Sequence, residues 1–247
     1  MKPCVTVEDG VRAIMEVYEF TPTQAWEFIP REEGQFCDTL LLDGKAYPLL
    51  FWRCDTQVVQ MYDFAPEREP VSMKTSQTAR KTESLQKLLY RELDVCEHIQ
   101  RTKVKSIMAF QNGGAMNLMA TMENECVCVL ELCNVLNEKS PEQGRRIFWG
   151  KKGMASDGVV SQKVKNASVY LFTENEEKPE TFNDIFQYTY GLGREDVLRA
   201  CMISEILMGM RDVSHWNETN SHLQACLQAA ERSAATMERV FLQEAEA

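Results

Sequence analysis

The 247-residue sequence has no run approaching the roughly 18 consecutive apolar residues that a membrane-spanning helix needs, so no membrane span is expected. Its opening, MKPCVTVEDG, has no apolar stretch of the signal-peptide kind, because Glu8 and Asp9 arrive at once. A cytoplasmic protein is therefore expected. Positive charge is short as well: 27 Lys and Arg against 37 Asp and Glu give a formal net charge of −10. Nucleic-acid affinity comes mostly from cations that neutralise phosphates, so that class of partner is excluded from the expectation. The one basic stretch, Lys74 to Lys105, is interleaved with Glu83, Glu92, Asp94 and Glu97. Gly-x-Gly-x-x-Gly, the turn by which a backbone approaches a dinucleotide pyrophosphate, occurs nowhere. Gly191-Leu192-Gly193 has neither a preceding strand nor a third glycine and reads as a loop and cap. There is no internal repeat and no low-complexity tract.

Cysteine is present in an odd number, nine, at irregular spacing and often inside apolar segments. That pattern fits reduced, buried small hydrophobes better than a disulfide framework. Cys126 and Cys128 share one face of a strand, but CxxC-type turns are absent, so core filling is favoured and no metal is expected.

The patterns that are there define elements. Thr6 is an N-cap, and Val7, Val11, Ile14, Met15 and Tyr18 recur at helical spacing, giving a first helix. Leu40–Leu42, Tyr47–Trp52 and Val58–Tyr62 read as a small β-meander turned at Asp43-Gly44. Residues 64–83, with two prolines and many small polar residues, read as a linker. A helix over 84–100 follows, then KVKSIMAF and three β-rich stretches separated by turn chemistry. Two helices, about 196–210 and 220–239, and a closing strand VFL end the chain. The expected fold class is α+β: a largely antiparallel open sheet with helices on one face, plus a small N-terminal helix and meander. The expected division is 1–70, a linker at 71–83, and 84–247.

The densest chemistry lies in KLLYRELDVCEH, residues 87–98. Asp94 and His98 are spaced i, i+4 on one helix face, which can serve catalysis or a metal and also describes many surface contacts. Glu205 inside an apolar helix marks a site or pairs with Arg199 or Arg211. Trp149 before Gly150 stacks on a sugar ring or is buried. His215 and His222 bracket a polar loop, Ser214 to Ser221.

Taken in order, YRELD (90–94), KVKSIMA (103–109), ATMENECVCVLEL (120–132) and IFWGKKG (147–153) resemble the C-terminal domain of the glucose-fructose oxidoreductase/inositol dehydrogenase/MocA-like (Gfo/Idh/MocA) family. GREDVLRACMISEIL and LQAAERSAATMERVFL resemble its two last helices and final strand, so the likeness covers about 84–242. The resemblance implies an oxidoreductase fold whose sheet packs between subunits. It also puts Asp94 on the family's trailing Asp, Arg91 on its proton-transferring His, and Lys87 on the earlier acid. MKPCVTVEDGVRAIM is similar to the end of the family's nucleotide-binding half from Lys2 onward, which makes Lys2 a candidate cofactor contact, although the usual glutamate is absent; a plain start before a capped helix is the other reading.

Two functions are expected from this. One is a non-catalytic oligomerising or ligand-binding protein, with Lys87, Arg91, Asp94 and His98 as the candidate site for an anionic, sugar-like molecule. The other is a subunit or fragment of an NAD(P)-dependent dehydrogenase acting on a sugar, polyol or sugar acid. NAD(P) enters there only with a nucleotide-binding domain supplied elsewhere. A homo-oligomer or a partner subunit is expected to cover the outer face of the sheet.

Overall fold

The computed structural model describes residues 6–158, 167–176, 178–183 and 191–242; Lys2 lies outside them. In chain order the elements begin α1 (Val7–Val17), β1 (Trp26–Ile29), β2 (Asp38–Leu42), β3 (Lys45–Leu49), α2 (Thr56–Phe64), β4 (Pro70–Arg80), α3 (Leu85–Gln100) and β5 (Val104–Asn112). They continue β6 (Ala115–Met122), β7 (Val127–Leu136), β8 (Gln143–Gly150), β9 (Gly153–Ser156), β10 (Val169–Thr173), β11 (Glu180–Phe182), α4 (Arg194–Leu207), α5 (Trp216–Thr236) and β12 (Val240–Phe241).

The chain forms two compact units, one drawn from Met1–Asp55 and Asp184–Ser221, the other from Thr56–Asn183 and His222–Ala247. This differs from the expected split, because the α4 segment joins the N-terminal elements. Gly10 of α1 accounts for that locally: a Cβ there would lie 2.9 Å from the Cβ of Ala200, so the two helices approach closely at this point. Only glycine permits so close an approach.

In the first unit α1 begins with a capping box, Thr6 Oγ1 accepting from Asp9 N at 3.2 Å while the Asp9 carboxylate accepts from Thr6 N at 3.3 Å. The three-stranded antiparallel sheet runs β1-β2-β3. Asp43 and Gly44 both take positive φ, 48° and 78°, as the two-residue turn between β2 and β3 requires. The third expected meander strand, Val58–Tyr62, is instead part of α2, in the second unit. Val58, Met61 and Ala65 recur at helical spacing and are fully buried, so packing overrides the β-propensity of a short β-branched run. Arg199 of α4 holds the first unit together. Its Nε donates to Asp38 of β2 at 2.7 Å, its terminal nitrogens reach Asp196 and Glu195 at 2.9 and 3.1 Å, and its guanidinium lies 4.3 Å from the Phe51 ring centroid.

The second unit is built on a nine-stranded sheet, β11-β10-β9-β8-β4-β7-β6-β5-β12, antiparallel except for the β4–β7 pair. Residues 71–83, expected as a linker, therefore contain most of its central strand. The alternation is present, with Met73, Thr75, Gln77 and Ala79 buried and the residues between them less so, but two inward positions are polar. Thr75 faces the buried charge of Glu92, and the two polar positions hide the strand from a reading that looks for apolar periodicity. Pro70 sits at the first position of the strand, where no ladder hydrogen bond is lost to it.

The buried rows of β5, β6 and β7 are Ile107 and Ala109, Leu118 and Ala120, and Cys128, Leu130 and Leu132. The α3 and α5 helices cover this face. On the other face Met108 pairs with Met119, Met119 with Val129, and Lys74 with Glu131 through an ion pair at 2.7 Å. Phe110 and Met119 are 49% and 43% exposed there, so helices cover only one side, as expected. The α5 helix begins at Trp216, earlier than the expected 220, and Ser233 fixes its far end by accepting from Ala109 N at 2.9 Å and donating to the Glu238 carbonyl at 2.6 Å.

Replacing Arg199 with Met keeps much of its bulk but strands Asp38, which is 2% exposed. A loss of about 3–5 kcal/mol in a urea melt is expected; an unchanged midpoint would show that the pair contributes nothing.

Candidate functional site

The α3 helix is set by Ser84, whose Oγ accepts from Gln86 N at 3.2 Å, and it ends at Arg101 in the left-handed conformation. One stripe, Leu85, Leu88, Glu92, Cys96 and Ile99, faces the sheet. Lys87, Arg91, Asp94 and His98 fall on another stripe, so the structure keeps the four candidates on one side of the helix. Their surroundings differ: Asp94 is completely buried, whereas Lys87, Arg91 and His98 are half-buried. His98 stacks flat on Tyr62 of α2, centroids 4.3 Å apart and planes within 9°. The Arg101 guanidinium lies 4.1 Å from the same ring, so the phenol is held between imidazole and guanidinium.

The residue at the centre of this region is one that the sequence did not single out. Glu92 is fully buried and accepts four hydrogen bonds: Arg146 of β8 forks onto it with Nε at 2.9 Å and a terminal nitrogen at 2.7 Å, Thr75 Oγ1 donates at 2.6 Å, and Arg91 Nε at 3.0 Å. Burial pushes its carboxyl upward, but the charges of Arg146 and Arg91, then the bonds from Arg146 and Thr75, outweigh burial and hold it at about 2. A signal was available in the spacing, since Glu92 lies four residues after Leu88 and four before Cys96, on the apolar stripe itself. A carboxylate there requires partners from the sheet.

A second cluster joins α3 to α5. Glu97 Oε1 accepts from Val104 N at 2.8 Å and lies 2.8 Å from His222 Nε2, which is 3.5 Å from Cys226 Sγ. His222 lies in α5, within the helix expected from about 220, whereas residues 216–221, expected as part of a polar loop, are helical too. Burial, and then the Glu97 charge, push the Cys226 thiol up. Among the described residues, Glu97, His222 and Cys226 form a cluster that could hold a metal.

Other candidates resolve as packing. Cys128 is fully buried against Cys96, and their hydrogen bond followed by burial raises the Cys96 thiol well above its ordinary value. Glu205 pairs with Arg211 at 2.6 Å. Trp149 is half-exposed on the outer sheet face. An open groove of about 460 Å³ at the start of α3 is lined by Lys81, Ser84, Gln111, Gly113 and Asn134 among others, and by none of the four candidates.

No family model matches this sequence, and no curated protein does either. The fold, however, is similar to that of solved oxidoreductases of the Gfo/Idh/MocA type, a likeness consistent with a C-terminal-like domain. An oxidoreductase from Agrobacterium radiobacter, solved with NAD+, L-tartaric acid and magnesium, is similar over 97% of this chain and 71% of its own, at TM-score 0.61 and 11% identity. An NAD-binding oxidoreductase from Klebsiella pneumoniae aligns with 79% of this chain and 65% of its own, at TM-score 0.61 and 12% identity. Apo scyllo-inositol dehydrogenase from Lactobacillus casei aligns with 78% and 62%, at TM-score 0.54 and 11% identity. The chain thus spans less than two thirds of the latter two proteins. At these identities the likeness is one of fold.

Glu92→Gln leaves Arg146 buried opposite a neutral amide, and a loss of about 3–5 kcal/mol is expected in chemical denaturation. Because the folded Glu92 titrates below the ordinary value of 4.5, its contribution is complete above about pH 4.5 and is lost as pH falls toward 2. An acid unfolding curve that the substitution leaves unchanged over that range would contradict the assignment.

Proposed function

We propose that this chain acts as a C-terminal-type oxidoreductase module that binds a ligand and oligomerises, without itself transferring the proton that accompanies hydride transfer. One observation carries the reading. The position that the family likeness assigns to the proton-transferring histidine holds Arg91, and its Nε is committed to the buried Glu92 at 3.0 Å. A guanidinium stays charged at neutral pH and cannot serve as a general base. Lys87 and Arg91 share a half-buried helix face with Asp94, an arrangement suited to a carboxylate-bearing or phosphorylated sugar-like molecule rather than a neutral one. The outer sheet face, with Met108, Phe110, Met119 and Val129, would be covered by a second copy or a partner subunit.

NAD(H) titration followed by nicotinamide fluorescence should give no saturable signal with this chain alone. Saturable binding together with turnover of a polyol or sugar acid would instead establish the dehydrogenase reading. In thermal melts, sugar acids should stabilise the protein and neutral sugars should not, with the shift lost in Lys87→Ala and Arg91→Ala. Light scattering should report a dimer or larger species; a monodisperse monomer would overturn the sheet interface.

A further inference from the structure

We infer that Glu97, His222 and Cys226 form a binding site for a divalent transition-metal ion of the zinc type, with three protein ligands and a fourth position open to water. His222 and Cys226 lie one turn apart on α5 and project from the same face toward α3, which supplies Glu97. The three ligand atoms lie within 4.8 Å of one another. In a tetrahedral zinc site with bonds of about 2.0–2.3 Å, neighbouring ligand atoms stand about 3.3–3.6 Å apart. The His222–Cys226 separation of 3.5 Å is already that of a ligand pair, and the Glu97 oxygen at 2.8 Å from the imidazole needs to withdraw by only about half an ångström.

Protons at this nitrogen engage only two of the three atoms at a time. A single nitrogen, Nε2, faces both an oxygen and a sulfur, and it can direct one N–H to one of them or accept from one of them, but cannot serve both well. An ion at the shared point engages all three atoms. The supporting contact is in place, since Val104 N donates to Glu97 Oε1 at 2.8 Å and fixes the carboxylate. Access fits too: Cys226 is fully buried and Glu97 nearly so, while the His222 side chain keeps 19% of its surface in solvent, where a water could complete the shell. Imidazole with thiolate selects zinc or cobalt over magnesium or calcium. Binding releases the thiol proton to solvent and uses the neutral imidazole, and carboxylate and thiolate together balance the two charges of the ion.

Cobalt(II) added to the chelator-treated full chain should give the near-ultraviolet thiolate-to-metal band and the visible bands of a tetrahedral site, at one equivalent, and zinc should displace them. Other cysteines can bind metal adventitiously, so Cys226→Ser and His222→Gln decide the matter. Each should abolish the thiolate band or weaken binding by more than the roughly 10–100-fold that follows loss of a group merely supporting a ligand. Cys37→Ser, remote from the cluster in sequence, should leave it intact. His222 is partly exposed on a helix, so circular dichroism should show His222→Gln folded. Absence of a thiolate band, or its persistence in Cys226→Ser, would overturn the assignment.

Discussion

The second unit depends on a carboxylate placed where a core side chain would normally sit. Glu92 projects from α3 into the sheet, and its four hydrogen-bond donors come from β4, β8 and α3 itself. A buried ion in this position is specified by geometry: any slip of helix against sheet would separate it from a forked guanidinium and expose two charges to an apolar interior. Leu88 and Ile99 supply non-directional burial along the same stripe, whereas Glu92 and Arg146 set the register. Because Arg91 is also drawn into that bond, the pair fixes both the placement of α3 and the state of the candidate site on its flank.

Much of the architecture could be read from the residues. The α1 capping box, the Asp-Gly turn, the α3 boundaries and the closing strand follow local rules that tertiary contacts leave intact. What was lost has a common cause. The α2 helix carries β-branched residues in a run too short for its period to stand out, and β4 has polar Thr75 and Gln77 at inward positions, where Thr75 bonds to Glu92. Local rules assume that the inside is apolar, and both the missed strand and the missed carboxylate belong to one polar inclusion in the core. The pairing of His222 was missed for a different reason: its partner Glu97 is 125 residues away, a separation over which one chain gives no pairing information.

The candidate face of α3 illustrates how a shared fold can be separated from its chemistry. Similarity in backbone extends to a protein solved with NAD+ and to one described as NAD-binding, yet identities of 11–12% leave every side chain to be judged on its own surroundings. Here those surroundings are an arginine tied to a buried glutamate, a fully buried aspartate and a histidine stacked on a tyrosine. Each fixes a charge or a ring in place. In the proposed reading such groups serve recognition, where constancy is useful, rather than proton transfer, where a group must change state within a turnover.

The single parallel pair in the sheet bears on how the unit can be divided. The β7 and β8 strands are consecutive in sequence but never meet; β4, contributed some fifty residues before β7, lies between them and bonds to both. A chain cut just before α3 would therefore lose the middle of the sheet rather than a tether, leaving β7 and β8 of the remaining fragment as two unpaired edges. For the same reason the β7 and β8 sides of the sheet join only when β4 has paired with both, and its pairing with β7 closes a loop of more than fifty residues. In this protein the stretch that looks most dispensable is the seam along which the two halves of the sheet are joined.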